Sequence, residues 1–185
     1  MATLDISFPS PRKRLFLITI IAVLGFSVGY IMLLNHEEQV MEKYYQNLRD
    51  TNVTLYLSKV MQTRGFRAFL KEYLAVRDYS HPVSEAPVFL VGRWALFDKE
   101  KRVSDDFIPS TCFSGVVIED GRLKFFGYDV DSHVTRYTMN GSTVTAHRRD
   151  ASDVNIDVVG YGNYLHHIVV RTPGSSHPRY GYMCH

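Results

Sequence analysis

Hydrophobic positions change their rhythm twice along this chain, from a continuous apolar run, to stripes at helical spacing, to short alternating runs. The continuous run occupies residues 15–34, LFLITIIAVLGFSVGYIMLL, without a single charge. As a helix rising ~1.5 Å per residue it would span about 30 Å, the hydrocarbon thickness of a bilayer. Gly25 and Gly29 are tolerated in such a helix. The run therefore predicts one transmembrane helix.

Beyond it, Val40, Met41, Tyr44 and Leu48 recur at steps of three and four among charged neighbours, which predicts a helical stalk over 37–49. Residues 53–57, VTLYL, read either as a short strand or as the opening of the next helix. Phe66, Phe69, Leu70, Tyr73 and Leu74 then form one stripe, opposed by Arg67, Lys71, Glu72 and Arg77, so 62–77 reads as an amphipathic helix in need of a surface to cover. Helical sequence thus fills 35–79. The segment SHPVSEAP at 80–87 has two prolines and no period, and is a connector.

From residue 88 onward the rhythm is that of strands. Apolar or alternating runs fall at 88–97, 112–119, 122–129, 134–139, 143–148, 154–159 and 164–171. Asp120-Gly121 and Asn140-Gly141 separate neighbouring runs and predict two-residue type I′ hairpins, and Gly160 to Asn163 supplies another reversal. Alternation places Val154, Ile156 and Val158 on one face, and sets Tyr164, His166, Ile168 and Val170 against Leu165, His167, Val169 and Arg171. The expected fold class is α+β: one N-terminal transmembrane helix, an amphipathic helix, then an antiparallel β-meander of seven to eight strands. Such a sheet either packs open on the amphipathic helix or curls shut into a barrel without edges. Gly92-Arg93-Trp94 resembles the G-x-W opening of lipocalins, in which a tryptophan plugs the closed end. In that reading Trp94, Phe125 and Tyr137 would line an apolar pocket.

Charge orients the chain. Arg12, Lys13 and Arg14 precede the run and Glu37 and Glu38 follow it, so the positive-inside bias predicts a cytoplasmic tail at 1–14 and a β-rich domain at 88–185 on the far side. A cleaved secretory signal is the rival reading, but its apolar region usually runs only ~7–15 residues and ends at small residues, a pattern missing from Ile31 to His36. A net charge of +2 without a basic aromatic stripe gives no reason to expect nucleic acid.

Both cysteines, Cys112 and Cys184, fall on the exported side, where an oxidising compartment would join them. Such a bridge would stabilise the domain by roughly 4 kcal/mol in the chain-entropy model. No nucleophile elbow, phosphate loop, H-E-x-x-H helix or C-x-x-C pair occurs, so no enzyme activity and no cofactor is expected. Asp129, Asp131 and His133 alternate as metal ligands on a strand could, but read better as the decoration of a turn. His166 and His167 are adjacent on one strand, so one of them should face inward and act as a pH-sensing group.

A short basic tail (Arg12 to Arg14), one span (15–34) and strands from residue 88 without catalytic motifs resemble the periplasmic partner proteins of ToxR-like membrane transcription regulators, of the ToxS, FidL, PsaF and VtrC type. The resemblance implies a single-pass protein of the bacterial inner membrane. Its periplasmic domain would bind and stabilise the periplasmic domain of such a regulator of virulence genes, and some relatives take a bile salt or other apolar ligand into a shared barrel. Strand addition would be the route, with residues 53–57 or the edge at Val88 as contacts. A barrel acting alone as a carrier of an apolar small molecule is the alternative.

Overall fold

The computed structural model describes residues 11–101, 109, 112, 115–126, 130–149 and 151–184. The chain divides into two compact units, Met1–Asn52 and Val53–His185.

The first unit is one helix, α1 (Pro11–Thr51). No glycine or proline interrupts the sequence from Tyr30 to Thr51, so the apolar run and the charged stalk share one continuous helix. From Thr19 onward it is long and apolar enough to cross a membrane, with a mean hydropathy of 1.6 over its most apolar window. The apolar side chains from Ile20 to Leu34 are exposed, Phe26 by 79%. The Ser27 hydroxyl donates to the Val23 carbonyl at 2.8 Å, so this polar group is satisfied within the helix.

In the second unit, α2 (Val53–Arg64) takes up the ambiguous 53–57 segment as its first turns. The amphipathic stripe becomes α3 (Phe66–Arg77), a separate helix where the sequence pattern ran unbroken from residue 62. Gly65 makes the break: its φ of 85° is accessible without strain only to glycine. That turn lets the Phe66 N–H donate to the Gly162 carbonyl at 2.9 Å, and the Gln62 carbonyl accepts from Asn163 Nδ2 at 3.2 Å. The Tyr56 hydroxyl donates to Glu72 Oε2 at 2.7 Å and ties the two helices together.

Eight antiparallel strands follow in sequence order and close on themselves as a barrel: β1 (Gly92–Phe97), β2 (Gly115–Glu119), β3 (Arg122–Phe125), β4 (Val130–Asn140), β5 (Thr143–Arg148), β6 (Val154–Tyr161), β7 (Tyr164–Arg171) and β8 (Arg179–Met183). Closure runs through β1 and β8, with Trp94 opposite Met183 and Phe97 opposite Tyr180. The strand drawn over 88–97 is shorter, because the Leu90 N–H turns back to the Pro87 carbonyl. β8 was missed by the seven apolar runs, since Arg179-Tyr180-Gly181-Tyr182 is too polar and too close to glycine to read as a strand.

The hairpins are corrected in detail. The β4–β5 loop is Gly141-Ser142, one residue later than expected, because Asn140 pairs with Thr143 as the last position of its strand. Within the three two-residue loops positive φ is confined to the glycines Gly121, Gly141 and Gly162, so none of them is type I′, which needs two such residues. Gly141 and Gly162 carry it at the first loop position, as type II′ does.

Barrel closure also bears on the two segments expected to offer a strand edge. β1 is paired on both sides, residue 88 lies outside the sheet, and 53–57 is helix, so neither predicted contact offers a strand edge. The connector is likewise no loose link. Val83 exchanges two backbone hydrogen bonds with Tyr137, the Met139 N–H donates to the Tyr79 carbonyl, and the Ala86 N–H donates to Asp120 Oδ1. It extends the sheet beside the upper half of β4, where β3 has already turned away.

Candidate ligand-binding site

The two ends of the barrel are built differently. One end carries the β2–β3, β4–β5 and β6–β7 hairpins, and α3 with residues 78–91 lies across it. Phe66, Phe69 and Tyr73 of α3 pack their rings around Phe89, with centroids 5.1–6.2 Å from it. Burying each of the three is worth about 1.5–3 kcal/mol relative to exposure, which is why the stripe needed a surface. Below them Trp94 is fully buried and its Nε1–H donates to the Leu90 carbonyl at 2.9 Å. Tyr137 is fully buried as well, donating its hydroxyl to the Glu119 carbonyl at 2.8 Å. Burial, with a lesser push from Asp120, moves its phenol well above the usual tyrosine range. Of the three expected pocket residues, Trp94 and Tyr137 are thus packed into the covered end.

Phe125 belongs to the opposite end. There, Leu96 of β1, Phe125 of β3 and Val170 of β7, with residues 172–175, line a cavity of about 350 Å³ that also touches Arg148 and Arg179. That volume lies within the range of small-molecule sites, and eight strands enclose just enough room for side chains or one small ligand. Alternation explains the lining. Val170 sits opposite Ile156, and Phe125 opposite Val116, both on the inward row. Arg148 follows Val144 and Ala146 on the inward row of β5, and Arg179 precedes Gly181 on that of β8. The rim is shaped by a turn in which the Ser175 N–H donates to the Thr172 carbonyl at 3.1 Å.

Sequence reasoning missed both arginines. Arg148 closes an alternating run whose other inward members are apolar, and a charge at such an end reads as solvated. Its Nη1 donates to Ser132 Oγ at 3.1 Å and its Nε to the Ser152 carbonyl at 2.6 Å. Arg179 Nε lies 3.5 Å from the exposed Asp98 carboxylate.

The histidine pair sits elsewhere, on the wall. By alternation His166 shares the inward row with Ile168 and Val170 and is half-buried, while His167, on the outer row, is the more buried of the two, at 3% exposure. Residues 100 and 101 cover it. The Tyr182 hydroxyl accepts from the Lys101 N–H at 2.7 Å and donates to its carbonyl at 3.0 Å, and the Tyr182 ring stacks on His167 at 5.5 Å. Burial chiefly, and His166 beside it, hold the His167 imidazole below its ordinary pKa, against a weaker opposite pull from Glu100 at 3.8 Å. The two Nδ1 atoms are 2.7 Å apart, so one must donate and the other accept.

Cys112 and Cys184 form the expected disulfide, with Cα atoms 6.1 Å apart. Asp129 lies outside the described residues, His133 is exposed, and among the described residues no cluster of His, Cys, Asp or Glu is placed to hold a metal.

Fold and cavity together define a class: a closed eight-stranded antiparallel barrel, covered at one end and, among the described residues, holding a cavity at the other, in a chain that also carries a helix of membrane-spanning length. Comparison of the chain with protein-family models, with curated proteins and with solved structures gave no match.

Proposed function

We propose that this protein is a membrane-anchored, lipocalin-like binder that takes a small apolar molecule into the hollow end of its barrel. The cavity of about 350 Å³ floored by Leu96, Phe125 and Val170 carries this reading. A disulfide and a helix of membrane-spanning length are consistent with a barrel held in an oxidising compartment outside the cytoplasm, with Arg12 to Arg14 on the inner side. The test uses the full chain in lipid nanodiscs, with empty nanodiscs as reference, and naphthalene methanol as a neutral probe followed by saturation-transfer NMR. Saturable binding that Val170→Phe abolishes is expected; a signal no greater than that of empty nanodiscs would overturn the reading.

A second reading, a periplasmic partner of a ToxR-like regulator, draws on one observation. Val88 and Val91 are exposed by 67% and 41% beside the covered end, where a partner could dock by side chains without a strand edge. Crosslinking from those two positions in the native membrane tests it, with capture of a regulator expected and self-contacts alone counting against it.

A further inference from the structure

The outer wall of the barrel carries a chain of polar contacts that the cavity does not use. On β4, Tyr137 and Met139 are buried and Thr138 between them faces outward, half-buried. On β5, Val144 and Ala146 are buried, so His147 faces outward as well. Thr138 Oγ1 and His147 Nε2 are 2.9 Å apart, and His147 Nδ1 lies 2.8 Å from Asp153 Oδ2. With a neutral ring facing a carboxylate, Nδ1 carries the proton and Nε2 is left to accept from the Thr138 hydroxyl. A hydroxyl, an imidazole and a carboxylate linked in that order are the parts of an activated nucleophile. Two contacts hold the arrangement. The Thr135 hydroxyl donates to the His147 carbonyl at 3.0 Å, where the β4–β5 register shifts between Val134 and Arg136. Arg148 Nε donates to the Ser152 carbonyl at 2.6 Å and pins the loop that presents Asp153. Thr145, opposite Thr138, does not compete for the ring, because its hydroxyl donates to Asn155 Oδ1 at 2.9 Å. The shifted register also sets Arg136 opposite His147, exposed, two residues before Thr138 on the same strand. Two strand residues span about 7 Å, so the Arg136 guanidinium can reach an oxygen that gains charge beside Thr138.

We infer that this wall is an acyl-transfer site for small activated esters, with Thr138 as nucleophile, His147 as general base and acid, Arg136 as the cation for the oxyanion, and Asp153 as a positioning residue. It stands apart from the cavity reading, since Thr138, His147 and Arg136 all face away from the barrel interior. The Thr138 oxygen attacks the ester carbonyl carbon while its proton passes to His147 Nε2. The bond to the leaving alcohol then breaks, and His147 returns the proton to that alcohol. Water attacks the acyl group on Thr138 in turn, His147 takes its proton and gives it to the departing Thr138 oxygen, and a carboxylic acid leaves. The site is shallow, with 26% of the His147 side chain and 48% of that of Asp153 in solvent, so water reaches it and a small acyl group suits it.

The experiment gives p-nitrophenyl acetate to the full chain in nanodiscs and reads p-nitrophenol release together with acetyl on Thr138, by mass spectrometry of acid-quenched protein. Exposed imidazoles cleave this ester unaided, so the comparison between variants decides. Thr138→Val and His147→Gln should each lower kcat by about tenfold or more, and Thr138→Val should carry no acetyl at that position. Thr138→Ser keeps the hydroxyl and should keep turnover, which also reports an intact barrel. Asp153→Asn should lower kcat with KM little changed, and Asp153→Glu should recover part of it, a split that a purely structural contact would not produce. Arg136→Gln should slow release, and Arg136→Lys should slow it less. Native protein without acetyl on Thr138, or release that Thr138→Val leaves unchanged, would overturn the assignment.

Discussion

The two ends of the barrel draw on the same inward rows of the same strands, yet α3 and residues 78–91 lie across one, while at the other Leu96, Phe125 and Val170 line a cavity. At the covered end partners come from outside the sheet: Leu90 for Trp94, and the ring cluster of α3 around Phe89. At the hollow end the inward rows finish in Arg148 and Arg179, which cannot pack against one another, and a short turn at 172–175 forms the rim. The difference teaches that the same inward rows can be met by a covering element at one end and line a cavity at the other. The ring cluster lies where α3 does, and the proposed recognition at the opposite end.

Breaking the covered end should have the largest effect. Trp94→Ala removes the biggest fully buried side chain and should cost about 3–5 kcal/mol in denaturant unfolding, while folded protein still binds naphthalene methanol. A loss below about 1 kcal/mol would mean that the two ends do not differ in this way. Breaking the disulfide with Cys184→Ser comes next, at about 2–4 kcal/mol for cysteines 72 residues apart, read as a lower unfolding midpoint that reductant reproduces in the native protein.

The smallest effect belongs to the wall, which is neither end. His167 is held below the imidazole value of 6.5, so as pH falls the unfolded chain takes up this proton first. Its contribution is full above about pH 6.5, declines as pH drops from there through the depressed folded value, and levels off below it. Glu100, His166, Tyr180 and Tyr182 are the polar or charged groups around it. His167→Gln should flatten the fall in unfolding midpoint between about pH 7 and pH 5, and an unchanged slope would assign the fall to other groups.

Local pattern made much of this molecule legible. An uncharged run of bilayer length reads as a helix because backbone hydrogen bonds must close within it, and α1 does run through it. Thr143 to Arg148 and Tyr164 to Arg171 were read to the residue, since alternation and the turns around them agree. The break at Gly65 and the start of β1 at Gly92 were not, because each depends on a hydrogen bond to a distant carbonyl or a local reversal that no periodicity announces.

What the sequence determined by itself was therefore the succession from apolar helix to helices to antiparallel strands, the alternating rows of β6 and β7, and a pair of cysteines able to join. Only the tertiary structure decided that the sheet closes, that Trp94 and Tyr137 fall at the covered end while Phe125 falls at the hollow one, and that Arg148 and Arg179 face the same space. The physical reason is that period-two alternation specifies a side of a strand but not a depth along the barrel. Depth is set by register and by whatever covers each opening, and both arise from contacts between residues far apart in the chain.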